Sequence, residues 1–133
     1  MGTLLGFDYG TAKIGIAVGQ TGTGTANPLT TLRAIRQKPD WAAISRLIDE
    51  WQPEALVVGL PFDMDDTETE IAPLARRFAR QLEGRYRLPV HMADERLTSQ
   101  VARQELGRRI KNYAELDAIA AKLILETWLS ERR

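Results

Sequence analysis

The sequence contains no cysteine. Disulfides and thiolate-held metals are thereby excluded, and any resident metal must be held by oxygen or by the one histidine, His91. That donor set selects a hard cation such as Mg2+ or Mn2+. Net charge is also missing, since Lys plus Arg and Asp plus Glu both count 18. No global field draws the chain to a polyanion, so affinity for nucleic acid has to come from local patches. No apolar run approaches the roughly 20 residues needed to cross a bilayer, and the first residues lack the basic-then-apolar pattern of a secretory leader. The expectation is a soluble cytoplasmic protein with no membrane partner. Internal repeats and low-complexity tracts are absent as well, and 133 residues suit a single domain spanning 1–133.

What is present reads as alternating strands and helices. Thr3 to Asp8 is a short apolar run ending in a carboxylate and the turn Tyr9-Gly10-Thr11, and Lys13 to Val18 follows as a second strand of a hairpin. Ala26 to Leu32 makes a third strand, which Pro28 assigns to a sheet edge. Asp40 caps a helix carrying Trp41, Ile44, Leu47, Ile48 and Trp51 at helical spacing, closed by Pro53. Ala55 to Val58 is a continuous apolar run, the pattern of a parallel strand buried on both faces. A second helix begins either at a capping box, Thr67 to Glu70, or later with Pro73 in its first turn. Leu74, Phe78 and Leu82 form its apolar stripe, and Arg76, Arg77 and Arg80 lie elsewhere on its circumference. Pro89 to Ala93 is a fifth strand ending in Asp94-Glu95-Arg96. Thr98 can cap a short helix to Leu106, and a last helix runs from about Ala114 to Leu129. The fold class is therefore α/β, a mixed five-stranded sheet with helices on both faces.

Three carboxylates stand where hydrophobic patterning does not want them. Asp8 ends the first strand, and ligands in open α/β sheets collect beyond the carboxyl ends of strands; the alternative is an Asx turn into Gly10. Asp94-Glu95 occupies the corresponding end of the fifth strand. Adjacent strand residues point to opposite faces, so one of the pair at most aims at Asp8. Asp117 lies on a helix anchored by Leu116, Ile119, Leu123, Ile124, Leu125 and Trp128, with Lys122 and Glu126 marking its solvent face. Helical phase puts Asp117 in line with Ala121, Ile124 and Trp128, away from that face. A carboxylate on a buried face needs a partner, a proton or a metal. A contact with the helix dipole or a buried ion pair would satisfy it too. Together the three make an oxygen ligand set for one or two magnesium ions. His91 shares a strand face with Ala93, where packing is the ordinary role of a lone histidine.

Four motifs in order resemble the YqgF/RuvX family of Holliday junction resolvases and pre-16S rRNA nucleases. They are Gly6 to Thr11 with Lys13 to Gly19, Val57 to Phe62 with Met64-Asp65, Asp94-Glu95-Arg96-Leu97-Thr98, and Leu116 to Ala121. The resemblance covers essentially the whole chain. It implies an RNase H-like fold, a divalent-metal nuclease site on Asp8, Glu95 and Asp117, with Asp94 as second choice at the strand end, and a nucleic-acid partner. Two departures stand out. The loop that usually reads Met-Asp-Gly-Thr is Met64-Asp65-Asp66-Thr67 here, and Ala12 precedes Lys13 where the family usually carries two basic residues.

The function that follows is metal-assisted hydrolysis of phosphodiesters in a ribosomal RNA precursor or a branched DNA, with Mg2+ or Mn2+ as cofactor. Lys13, Arg96, Thr98, Arg76, Arg77 and Arg80 are the candidates for phosphate contacts. A non-catalytic nucleic-acid-binding module of the same fold is the competing reading. An actin-like ATPase needs two lobes, and this length provides one. A homodimer is compatible with the sequence and not specified by it.

Overall fold

The computed structural model describes residues 2–60, 70–94 and 113–132. Five strands form one sheet in the order β3-β2-β1-β4-β5. β1 (Thr3–Asp8) pairs antiparallel with β2 (Lys13–Gln20), and β2 pairs antiparallel with β3 (Thr25–Arg33). β4 (Ala55–Leu60) runs parallel to β1, and β5 (Val90–Asp94) parallel to β4. The meander followed by parallel strands is thus realised, with most strands a residue or two longer than their hydrophobic pattern. Pro28 lies on the edge strand. Its missing N–H is tolerated beside a register irregularity at Ile16 and Ala17, where Ile16 pairs with Thr30 and Ala17 with Pro28, so Leu29 is the extra residue of a bulge.

Helix α1 (Trp41–Trp51) is capped as the sequence implies, with the Asp40 carboxylate accepting from the Ala43 N–H at 3.1 Å. It stops when Gln52 turns left-handed and donates its N–H to the Ile48 carbonyl, just before Pro53. Helix α2 (Ala72–Tyr86) starts with Pro73 in its first turn, which settles its start; Thr67 lies outside the described residues. Its buried stripe is Ala75, Phe78, Ala79 and Leu82. Leu74, at the margin of that arc, is 38% exposed, which corrects its assignment to the stripe. Helix α3 (Tyr113–Glu131) is one or two residues longer at each end than its pattern. Leu116, Ile119 and Leu123 are half-buried, because Ala118, Ala120, Ala121, Ile124 and Leu125 take the positions against the sheet.

Strand alternation separates the chain into two apolar layers. Leu5 and Phe7 of β1, Ile14, Ile16 and Val18 of β2 and Leu56 and Val58 of β4 face α1 and α2. On the other side Leu4, Ala17 and Val57 face α3 through Ala121, Ile124, Leu125 and Trp128. His91 of β5 stacks on Trp128 with ring centroids 4.9 Å apart, so its packing role is realised.

Helix α3 lies very close to the sheet. A methyl group at Gly15 would fall 2.0 Å from the Asp117 carbonyl oxygen and 2.9 Å from the Ala118 nitrogen, both backbone atoms that no rotamer can move aside. Gly84, on the exposed side of α2, has nothing within 4 Å of the same position. Gly15→Ala is therefore expected to cost about 1–3 kcal/mol of unfolding free energy. Gly84→Ala is expected to add about 0.5–1 kcal/mol through helix propensity. Urea denaturation of the two variants beside the parent checks both signs.

Candidate active site

Asp8 is the one buried charged side chain among the described residues, at 6% exposure. Alternation along β1 puts it on the face of Leu4 and Gly6, the face that α3 covers. Its cross-strand partner on β2 is Gly15. The carbonyl of Asp117 rests on that same glycine. Two carboxylate-bearing residues therefore meet over one position without a side chain, one from a strand end and one from the second turn of α3.

Lys13 opens β2 on the same face as Gly15, and its Nζ lies 2.9 Å from Oδ2 of Asp117. That oxygen is buried, yet among the described residues no donor meets it at hydrogen-bonding angles. The contact is an ion pair by distance and not an aligned hydrogen bond. Of the two side chains, Lys13 is the more exposed, at 41% against 20%. The structure thus brings together Asp8, Lys13 and Asp117. Glu95, Arg96 and Thr98 lie outside the described residues, as do Pro61 to Thr69, including the departure at Asp66. Arg76, Arg77 and Arg80 ride on α2, across the sheet from α3. Arg76 is half-buried, and Arg77 and Arg80 are exposed.

The residues present fit a hard cation. Asp8 offers a buried carboxylate and Asp117 a buried oxygen lacking an aligned donor, and both are the hard oxygen donors that magnesium and manganese take. Among the described residues, no three side chains of His, Cys, Asp or Glu converge as a metal-binding group. The strand end that would add a third is placed by register. Phe7 pairs with Val58 and Val58 with Met92, so β1 and β5, with β4 between them, end on the same side of the sheet, with Asp94 opposite Leu60. Sequence reading missed Gly15, because a lone glycine in a strand pattern carries no mark of which helix will lie on it.

The family described as RuvX, Holliday junction resolvase, matches residues 2–131. The chain belongs to this family. A protein of Azotobacter vinelandii named "Putative pre-16S rRNA nuclease" is 52% identical, over 97% of this chain and 94% of its own length. A protein of the same name from Pseudomonas putida is 52% identical over 95% and 93%. Among solved structures, the fold is similar to Thermus thermophilus RuvC in complex with a Holliday junction substrate, with a TM-score of 0.57 at 16% identity over 98% of this chain and 94% of that one. It is likewise similar to the Fowlpox virus resolvase in complex with Holliday junction DNA, with a TM-score of 0.59 at 13% identity over 98% of both chains. These likenesses establish the RNase H-like fold of the chain. Among the described residues no helix is long and apolar enough to cross a membrane.

The pairing of Asp117 with a well-exposed lysine determines what its loss does. In metal-free buffer, Asp117→Asn is expected to change unfolding free energy by no more than about 1 kcal/mol, because the Lys13 ammonium returns to water when its partner is neutralised. A loss of about 3 kcal/mol or more in chemical denaturation would instead mark a buried bridge whose cation is stranded.

Proposed function

We propose that the chain is a divalent-metal-dependent nuclease that hydrolyses phosphodiesters in structured nucleic acid, either the 5′ side of a pre-16S rRNA or a four-way DNA junction. The observation that carries this reading is the meeting of Asp8 and Asp117 over Gly15, with a buried Asp117 oxygen lacking an aligned donor. The names of the relatives and the junction-bound neighbours supply the substrate class.

Asp8, Asp117 and Glu95 would hold one or two Mg2+ or Mn2+ ions. Glu95 is preferred over Asp94 because the α3-facing side chains of β5 are the odd-numbered His91 and Ala93, and Glu95 is the next odd position. Bound there, the metal supplies Lewis acidity that activates the attacking water and stabilises the leaving oxygen. The protein's own part is to hold the carboxylates at fixed separation on a strand end and a helix, rigid elements that do not reorganise during reaction. Lys13 stands beside Asp117 with much of its side chain exposed, where it could meet a phosphate of the substrate, and Arg96 and Thr98 are further candidates for contacts to the nucleic-acid backbone. We assign the work to the cytoplasm, where both substrate classes reside. A junction is two-fold symmetric, which favours a homodimer presenting two such sites.

Asp8→Asn removes one charge from the buried ligand while keeping its shape. It is expected to leave the circular dichroism spectrum unchanged and to reduce magnesium-supported cleavage by at least about 100-fold. Cleavage of a pre-16S RNA fragment and of a four-way junction by parent and variant tests the site and separates the two substrates. Undiminished cleavage by the folded variant would remove Asp8 from the chemistry, and binding by the parent without cleavage of either would leave a binding module.

A further inference from the structure

The edge of the sheet that carries Asp8 also opens on the other face, between α2 and the connection from β3 to α1, into a groove of about 900 Å³. Among the described residues its charged lining is Arg36, Lys38, Arg77 and Arg85, with no carboxylate. Four cations around one groove are a strong local field in a chain whose net charge is zero. One wall is a stripe of α2, in which Leu74, Arg77, Gln81 and Arg85 recur at spacings of three and four. The other is a tight turn. Ile35 and Lys38 exchange two backbone hydrogen bonds of 2.8 and 3.0 Å around Arg36 and Gln37, both left-handed at φ 52° and 67°. Such a two-residue turn usually carries glycine or asparagine, and here it presents Arg36 to the groove. Tyr9, Thr11 and Ala12 of the β1–β2 turn complete the lining. Tyr9 follows Asp8 directly, so the groove begins one residue along the backbone from Asp8, on the opposite face of the sheet.

Trp41 decides which part of a nucleic acid the groove suits. An open indole would offer a platform for a base. The Trp41 ring is already stacked on Phe78, with centroids 5.6 Å apart, and carries the Arg85 guanidinium 4.1 Å from its own centroid. Tyr9 likewise leans on Phe78 at 5.0 Å. The aromatic surface is engaged, and what remains to meet a ligand is the row of cations. A flat guanidinium backed by an indole is well suited to a phosphate oxygen pair.

We propose that this groove binds the sugar–phosphate backbone of the strand running through the Asp8 site, through Arg36, Lys38, Arg77 and Arg85 and without reading bases. The proposal rests on the nuclease reading for the identity of its polyanion. It also divides the arginines of α2, with Arg77 in the groove and Arg80 outside it.

The test is fluorescence anisotropy of a labelled 20-nucleotide RNA, single-stranded and as a duplex, in EDTA so that neither metal nor cleavage contributes. Arg77→Ala/Arg85→Ala removes two contacts. In the form that the parent binds more tightly, affinity is expected to fall about 25- to 60-fold at 0.1 M salt, and the slope of log K against log salt to become shallower by about 1.4 to 1.8. Arg80→Ala is expected to change affinity by less than about threefold, and a second RNA of unrelated sequence to show the same losses. The proposal is overturned if the parent binds neither form, if the double variant binds like the parent, or if Arg80→Ala alone costs as much as the double change. Asp8→Asn, carried through the same binding assay and a cleavage assay, tells the two readings apart. Lost cleavage beside intact binding by the groove variant sinks the groove and keeps the carboxylate site. Undiminished cleavage by Asp8→Asn beside weakened binding by the groove variant does the reverse.

Discussion

The separation between the two acids that the structure describes is set by a backbone contact, the carbonyl of Asp117 resting on Gly15. A helix normally stands off a sheet by the length of the side chains between them, about 10 Å between layers. Here Gly15 removes that spacer at the one position opposite Asp8, and Gly6 makes room for Leu125 further along the helix. The approach brings a residue of α3 with a short carboxylate side chain next to the strand end that carries another. Alanines at 118, 120 and 121 serve the same end from the helix side, since a larger residue there would lift α3 away.

Because the approach is between backbones, the proposed site would share the rigidity of the fold. Interiors are packed near crystal density, so the first turns of α3 cannot drift without dislodging Leu125 and Trp128 from their seats against β1 and β5. Lys13 depends on the same arrangement. It lies two residues before Gly15 on the same strand face, so whatever brings Asp117 to the sheet also brings it to the lysine. The ion pair balances a buried carboxylate oxygen without an aligned hydrogen bond, as the proposed role in holding a harder cation would require.

The sheet divides labour between its faces. Beside α3 stand the acids, and beside α1 and α2 stand the cations of the groove. β1 joins the two, since Asp8 and Tyr9 are consecutive and belong to opposite sides. Separating the charges by a layer of apolar side chains keeps Arg77 and Arg85 from pairing with the acids that a metal would need. A zero net charge is therefore compatible with a local row of cations on one face of the sheet.

Element order, strand direction, the Asp40 cap, the edge position of Pro28 and the inward phase of Asp117 were legible in the sequence, because each follows from periodicity or from the chemistry of one residue and its near neighbours. The unusual placing of Asp8 was legible for the same reason, as a carboxylate closing an apolar strand, and the structure buries it there. Tertiary structure alone decided which glycine the last helix would rest on, that Asp117 would meet Lys13, and that alanines rather than Leu116 and Ile119 would press on the sheet. It also decided that Arg77 would join Arg36, Lys38 and Arg85 in one groove while Arg80 stays apart. The turn at Arg36 and Gln37 has none of the glycine or asparagine that announces a left-handed pair. Those facts depend on how closely layers approach and on which distant segments share an edge. Such distances belong to the packed chain, and a one-dimensional pattern carries no record of them.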